Sequence, residues 1–205
     1  KPVQLLNVLY RRAAADPSLS LHIYTALSLE VPQPGSHIEA GLAGPIMERL
    51  FGDYEELAFL APMRRGELPD NVQVTELYFK AGSMKGNPAA QQNYISSNYT
   101  HIARDMLAAG VNVLVQMVAA REEDGKLQIS LSCNPDISLE IYDRTRNSGA
   151  KVYFAAQVHG DLPFMEHDAV VPAERFDCIV HNSDYDKTLF AVPNAAVPLR
   201  DYAAA

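Results

Sequence analysis

The run Val111–Ala119, VNVLVQMVA, most constrains what this chain can become. It is apolar almost without a break, the mark of a strand buried on both faces. It follows directly on Tyr99–Ala109, a helical stretch closed by Gly110, a typical glycine C-cap. A strand of that kind, entered from a helix, belongs to a sheet covered by helices on both faces. The rest of the chain keeps the alternation. Residues 2–15 predict a helix with Leu5, Leu6, Leu9 and Ala13 on one face, stopped at Asp16-Pro17. Leu19–Leu27 predicts a buried strand, and VPQPGS at 31–36 breaks the chain. Ile38–Phe51 predicts a helix carrying Ile46, Met47, Leu50 and Phe51, and a shorter helix is expected from Tyr54 to Arg65. Asn71–Phe79 alternates as a strand, with Val72, Val74 and Leu77 set against Gln73, Thr75 and Glu76. Residues 81–98 are polar and irregular. Beyond Ala119 come a charged hairpin tip at 121–126, a strand at 127–132, a helix at 135–148 ended by Gly149 and a strand at 151–158. A loop-rich stretch, 159–173, and a last strand at 176–181 follow. With no repeat, linker or low-complexity tract, the expectation is one α/β domain over 1–205, built on an open, mostly parallel sheet.

Composition narrows the function classes. Seventeen basic against 25 acidic residues leave a net charge of −8, which argues against nucleic acid or an anionic membrane as the main partner. The doublets Arg11-Arg12 and Arg64-Arg65 are isolated and have acidic neighbours, Asp16 and Glu67. The apolar stretch 106–120 is too short to span a bilayer and is interrupted by Asn112 and Gln116. No signal-peptide pattern opens the chain. Cys133 and Cys178 form no CxxC, and two lone cysteines predict buried thiols of a reducing, cytoplasmic compartment. The Lys-Pro start without an initiator Met and the weak tail at 199–205 lead us to expect a piece of a longer protein.

In open α/β sheets, ligands sit beyond the carboxyl ends of strands. That singles out Thr25–Leu29, Lys80–Asn87, Ser132–Asp136 and Gln157–Asp161. Gly82-Ser83-Met84-Lys85-Gly86-Asn87 either cradles phosphate with backbone N–H groups or is a flexible turn; it fits neither the P-loop nor GxGxxG. Asn93–Thr100, NYISSNYT, crowds hydrogen-bonding side chains before a helix. Asn98 alone can be its N-cap, and the whole cluster fits a loop that orients a polar ligand. Ser132–Asp136, SCNPD, leaves a strand for a helix whose N-terminus suits a carboxylate or oxyanion. The same residues suit a plain cap on Asn134 with Pro135 in the first turn. His159, Asp161, Glu166 and His167 match no metal-ligand spacing, and no metal is expected. No serine stands in GxSxG, Cys133 has no identifiable base, His101 lies inside a helix, and Asp184 and Asp186 form a solvated pair near a turn. The residues alone supply no complete nucleophile–base set.

Four stretches carry a resemblance: LHIYTALSLEVPQP at 21–34, YFKAGSMKGNPAAQQNYISSNYTHIARDMLAAGVNVLVQMVA at 78–119, LSCNPDISLEI at 131–141, and 151–182 from KVYFAAQVHGDLPFM to ERFDCIVHN. Together they resemble the amino-terminal half of the acetyl-CoA hydrolase/transferase family, the group-I CoA-transferases of NagB/RpiA-like α/β fold. The resemblance implies covalent chemistry: a glutamate attacks an acyl-CoA thioester, and a glutamyl-CoA thioester then passes CoA to a carboxylate or is hydrolysed. It places that glutamate in a carboxy-terminal half, near a Gly-rich segment. Glu30, Glu39, Glu140 and Glu174 stand in other settings, so no catalytic residue is assigned here. It implies substrate contacts at Thr25, Ser28, Ser96, Ser97 and Asn98, with Asn134 in a turn where many relatives carry a longer insert. Coenzyme A enters as substrate thioester and no cofactor is expected. The implied partners are acyl-CoA, a small carboxylate and the carboxy-terminal domain of the same protein. The piece alone is expected to be inactive, and an uncovered apolar face would let it pair as a homodimer. The rival expectation is a non-catalytic α/β module that binds a metabolite or another subunit.

Overall fold

The computed structural model describes residues 1–133, 136–149 and 151–182. These fall into two compact units: Lys1–Glu30 with the described residues from Glu55 onward, and Val31–Tyr54.

The first unit is α/β. It contains α1 (Val3–Ala15), β1 (Leu21–Thr25), α3 (Leu60–Arg65), β2 (Val72–Glu76), α4 (Pro88–Gln92), α5 (Tyr99–Ala108), β3 (Val113–Glu123), β4 (Lys126–Ser130), α6 (Asp136–Ser148), β5 (Tyr153–Val158), β6 (Val170–Pro172) and β7 (Cys178–Val180). Parallel pairing prevails, as β1–β2, β3–β5 and β5–β7 against antiparallel β3–β4 and β4–β6. The strands nevertheless divide between two sheets, a β1–β2 pair and a five-stranded sheet in the order β6-β4-β3-β5-β7.

The apolar run is the front half of β3. Val113–Val118 pairs with β5, and the charged continuation Ala119–Glu123 pairs with β4. The strand outlasts its apolar run because Asp124 and Gly125, at φ +52° and +71°, make a two-residue turn whose twist matches a hairpin. Leu114, Gln116 and Val118 share a face with Phe154, Ala156 and Val158. That face carries the α5 and α6 side: Phe154 packs with Ile102, Ala103, Met106 and Ile141, and Ser138 Oγ donates to Gln116 Oε1 at 2.5 Å. On the other face, Leu5 N–H at the start of α1 donates to the buried Gln157 Oε1 at 3.2 Å, while Val113 and Tyr153 stay exposed.

A separate core lies under β1 and β2, where Ile23, Val72 and Val74 meet Tyr10, Phe59, Leu60 and Met63. The buried stripe of α1 keeps Ala13 and packs Leu6 against the core as expected, but it is shifted from the expected face. Asn7, Tyr10 and Ala13 point inward and Leu9 outward. Asn7 is 1% exposed but fully used: its Nδ2 donates to Glu55 Oε1 and Glu56 O at 3.0 Å each, and its Oδ1 accepts from Ala58 N–H at 2.7 Å. A buried amide with all those bonds made anchors the helix as firmly as an apolar contact. The stretch expected to be irregular contains α4, and the loop-rich one contains β6. Cys133 and Cys178, expected to be buried, are both exposed free thiols.

The second unit holds α2 (His37–Phe51). Ser36 Oγ caps it, accepting from Glu39 N–H at 3.2 Å, and Glu39 Oε2 reaches back to Gly35 N–H at 2.8 Å. Ile38, Leu42, Ile46 and Leu50, four apart along the helix, are all exposed.

No helix among the described residues is long and apolar enough to cross a membrane. Ile141 is fully buried while Tyr153 is exposed. By urea unfolding, Ile141→Ala should cost about 2–5 kcal/mol through lost burial and the cavity left behind. Tyr153→Ala should cost under about 0.5 kcal/mol.

Candidate functional site

The carboxyl ends of β1 and β2 lie side by side, with Thr25 opposite Glu76 and Leu77 N–H donating to Thr25 O at 2.9 Å. A third segment joins them. Glu76 N–H donates to Asn93 O and Ile95 N–H to Glu76 O, both at 3.2 Å, so Tyr94 pairs alongside β2 like a short extra strand. Two of the expected binding segments, Thr25–Ser28 and the start of the NYISSN loop, therefore flank the carboxyl end of β2, one on each side.

Between them stands Glu76, a residue the alternation assigned to the outer face. It is 2% exposed. Ser28, itself 8% exposed, donates to its carboxyl through both hydroxyl and backbone N–H. Lys1 Nζ lies over the pair, donating to Ser28 Oγ at 3.0 Å and Ala26 O at 2.6 Å. Glu76 Oε1 has no hydrogen-bond partner among the described residues. Burial raises the pKa of this carboxyl and the nearby Glu30 adds to the rise, while the Ser28 bonds and the Lys1 charge oppose it. Glu30 is engaged by Arg64 in a two-pronged ion pair, and Arg64 Nη1 also donates to Ser83 O at 3.3 Å. Ionised, the carboxyl can only accept hydrogen bonds; protonated, it can also donate one.

The remaining expected residues divide. Thr25 is half-buried next to Glu76. Ser96 is exposed at the loop tip. Ser97 is occupied, its Oγ donating to Asp105 Oδ2 at 2.6 Å. Asn98 takes the N-cap position of α5, yet its Oδ1 accepts from Thr100 Oγ1 at 2.6 Å instead of a backbone N–H. Asn134, Asp184 and Asp186 lie outside the described residues. Before Asn134, Ser132 sits at φ +56° with its Oγ on Pro163 O at 2.9 Å, which ties the end of β4 to the 163–165 loop. His159 is buried and its Nδ1 accepts from Asp161 N–H at 3.2 Å, while Glu166 pairs with Arg121. Among the described residues no three His, Cys, Asp or Glu side chains stand together as a metal set.

Sequence reasoning missed Glu76, and the signal was there. In VQVTE the period of two runs Val72, Val74, Glu76, which puts the carboxyl on the face of the two buried valines. Its raised pKa fixes a sign. The folded chain holds this proton more tightly than the unfolded one, so the carboxyl weakens the fold increasingly as pH rises above the unfolded value, until the folded pKa is passed. Thermal melts should therefore show Glu76→Gln and the parent nearly coincident near pH 4 and the Gln variant melting higher at pH 8.

The chain matches no family model and no curated protein. Among solved structures it is similar to the 4-hydroxybutyrate CoA-transferase of Porphyromonas gingivalis, at 13% identity and a TM-score of 0.39. The match takes in 89% of this chain and 42% of that one, so the chain spans less than half the length of that transferase.

Proposed function

We propose that this chain is the amino-terminal α/β domain of an enzyme that acts on short acyl-CoA thioesters, a hydrolase or CoA-transferase whose nucleophilic glutamate lies in a following domain. The observation that carries the proposal is that Thr25–Ser28 and the 93–95 segment flank the carboxyl end of β2, one on each side, around a buried carboxyl with an unpartnered oxygen. Those two segments belong to the stretches that resemble the acetyl-CoA hydrolase/transferase family. In that family's chemistry a glutamate carboxylate attacks the thioester carbonyl, forms an acyl-glutamyl anhydride and expels CoA thiolate. The thiolate attacks the glutamyl carbonyl and releases the acyl group as a carboxylate. A second carboxylate then attacks the glutamyl-CoA carbonyl and expels CoA thiolate, which attacks the acyl carbonyl of the new anhydride to give the new acyl-CoA and free the glutamate; water in place of that carboxylate gives free CoA and glutamate directly. The part left to this chain is to wall the acyl end of the cleft. Glu76 and Ser28 supply polar atoms fixed before substrate arrives, the condition under which such atoms favour charge development.

The test is thiol release from acetyl-CoA by the natural-length protein, with and without added carboxylate, followed by hydroxylamine trapping of the glutamyl thioester. Release with a glutamyl hydroxamate outside residues 1–205 is the expected result, and Ser28→Ala should lower kcat/KM roughly tenfold, about 1.4 kcal/mol. Absence of both release and trapping with every short acyl-CoA would sink the proposal in favour of a binding module. Trapping inside this chain would move the nucleophile here, with Glu76 first in line.

A further inference from the structure

An open pocket of about 530 Å³ lies just past the carboxyl end of β2. Its walls include Phe79, Tyr94, Lys80, Lys85 and Met84. Phe79 and Tyr94 stack at 5.2 Å between ring centroids, and Tyr94 is exposed, so the pair offers a flat aromatic face. Lys80 and Lys85 are exposed and enter no ion pair among the described residues. No acidic residue lines the pocket. In a chain of net charge −8, two ammonium groups gathered without a carboxylate mark a local preference for anions.

The loop bearing these lysines is braced. Gly82 and Gly86 take φ +76° and +82°, which side chains resist, although a Cβ would meet nothing within 4 Å at either position. Ser83 N–H donates to Lys80 O at 3.0 Å and Asn87 N–H to Met84 O at 3.1 Å. Asn87 Nδ2 holds Met63 O at 2.8 Å and Arg64 O at 3.3 Å, and Met84 is buried beneath. The lysines thus project from a loop whose shape is set without a ligand, which lowers the ordering cost of binding.

We propose that this pocket holds the phosphorylated nucleoside end of the ligand, with the base on the Tyr94–Phe79 face and phosphates against Lys80 and Lys85. Base–aromatic stacking accepts any flat ring, and lysine binds phosphate as a mobile point charge. The assignment rests on the acyl-CoA reading, in which that end is the phosphoadenosine diphosphate of coenzyme A.

The probe is adenosine 3′,5′-bisphosphate, which lacks the thiol arm and so reports on the pocket alone. Calorimetry on the natural-length protein at about 50 mM salt should show binding that weakens as salt rises. Lys80→Gln with Lys85→Gln should weaken it roughly tenfold or more, and Tyr94→Ala comparably. The double Gln variant should raise KM for acetyl-CoA and leave kcat and hydroxylamine trapping near the parent value. No binding by the parent, or equal binding by the double variant, would overturn the pocket assignment, and thiol release would then still support the acyl-CoA reading. Bisphosphate binding lost in the variants, in a protein that neither releases thiol nor traps, would keep the nucleotide site and remove the acyl-CoA reading.

Discussion

The end of β2 is buried on both faces, and the rest of the site follows from that constraint. Thr75, Glu76 and Leu77 are buried in succession, so polar side chains cannot all turn to water. Thr75 meets its need through His22 Nε2 at 2.7 Å. Glu76 meets half of its own through Ser28, which obliges the chain leaving β1 to fold back over the carboxyl. The backbone of the same residue holds Asn93 and Ile95. One residue thus ties the exit of β1 with its side chain and the 93–95 segment with its main chain. A buried carboxyl with an unused oxygen is costly, and a fold keeps one most readily where the oxygen has a use.

Much of the fold was legible because its periodicities are strong. The apolar run of β3, the glycine stops after α5 and α6, and the Asp16 end of α1 each follow from local chemistry. What was not legible depended on partners distant in sequence. Leu9 looks like a core residue of α1 and Asn7 does not, until the 55–58 segment arrives with a carboxylate, a carbonyl and an N–H for the amide. The division into two sheets is equally a tertiary matter, since β1 and β2 carry no residue pattern that separates them from β3 and β5.

The site was legible by segment more than by residue. The strand-end rule and the NYISSN cluster both point to the carboxyl end of β2, where Glu76 is buried. Ser97 and Asn98 serve the first turn of α5, and Glu76 holds the centre. Side chains that shape a loop and side chains that face a ligand have the same composition, so only geometry separates them. The glycine-bearing GSMKGN turn shows the converse. It fits no phosphate motif by spacing, yet its brace through Asn87 and Arg64 gives it a fixed form.

The two exposed cysteines have a consequence of another kind. Neither Cys133 nor Cys178 is sheltered by the cores, so oxidants and alkylating reagents reach both while the protein stays folded. An exposed thiol forms a mixed disulfide at a rate set by its thiolate fraction and access. In an oxidising medium, chains can therefore become covalently linked at their surfaces with both hydrophobic interiors intact. The covalent chemistry of these two thiols therefore does not wait on unfolding.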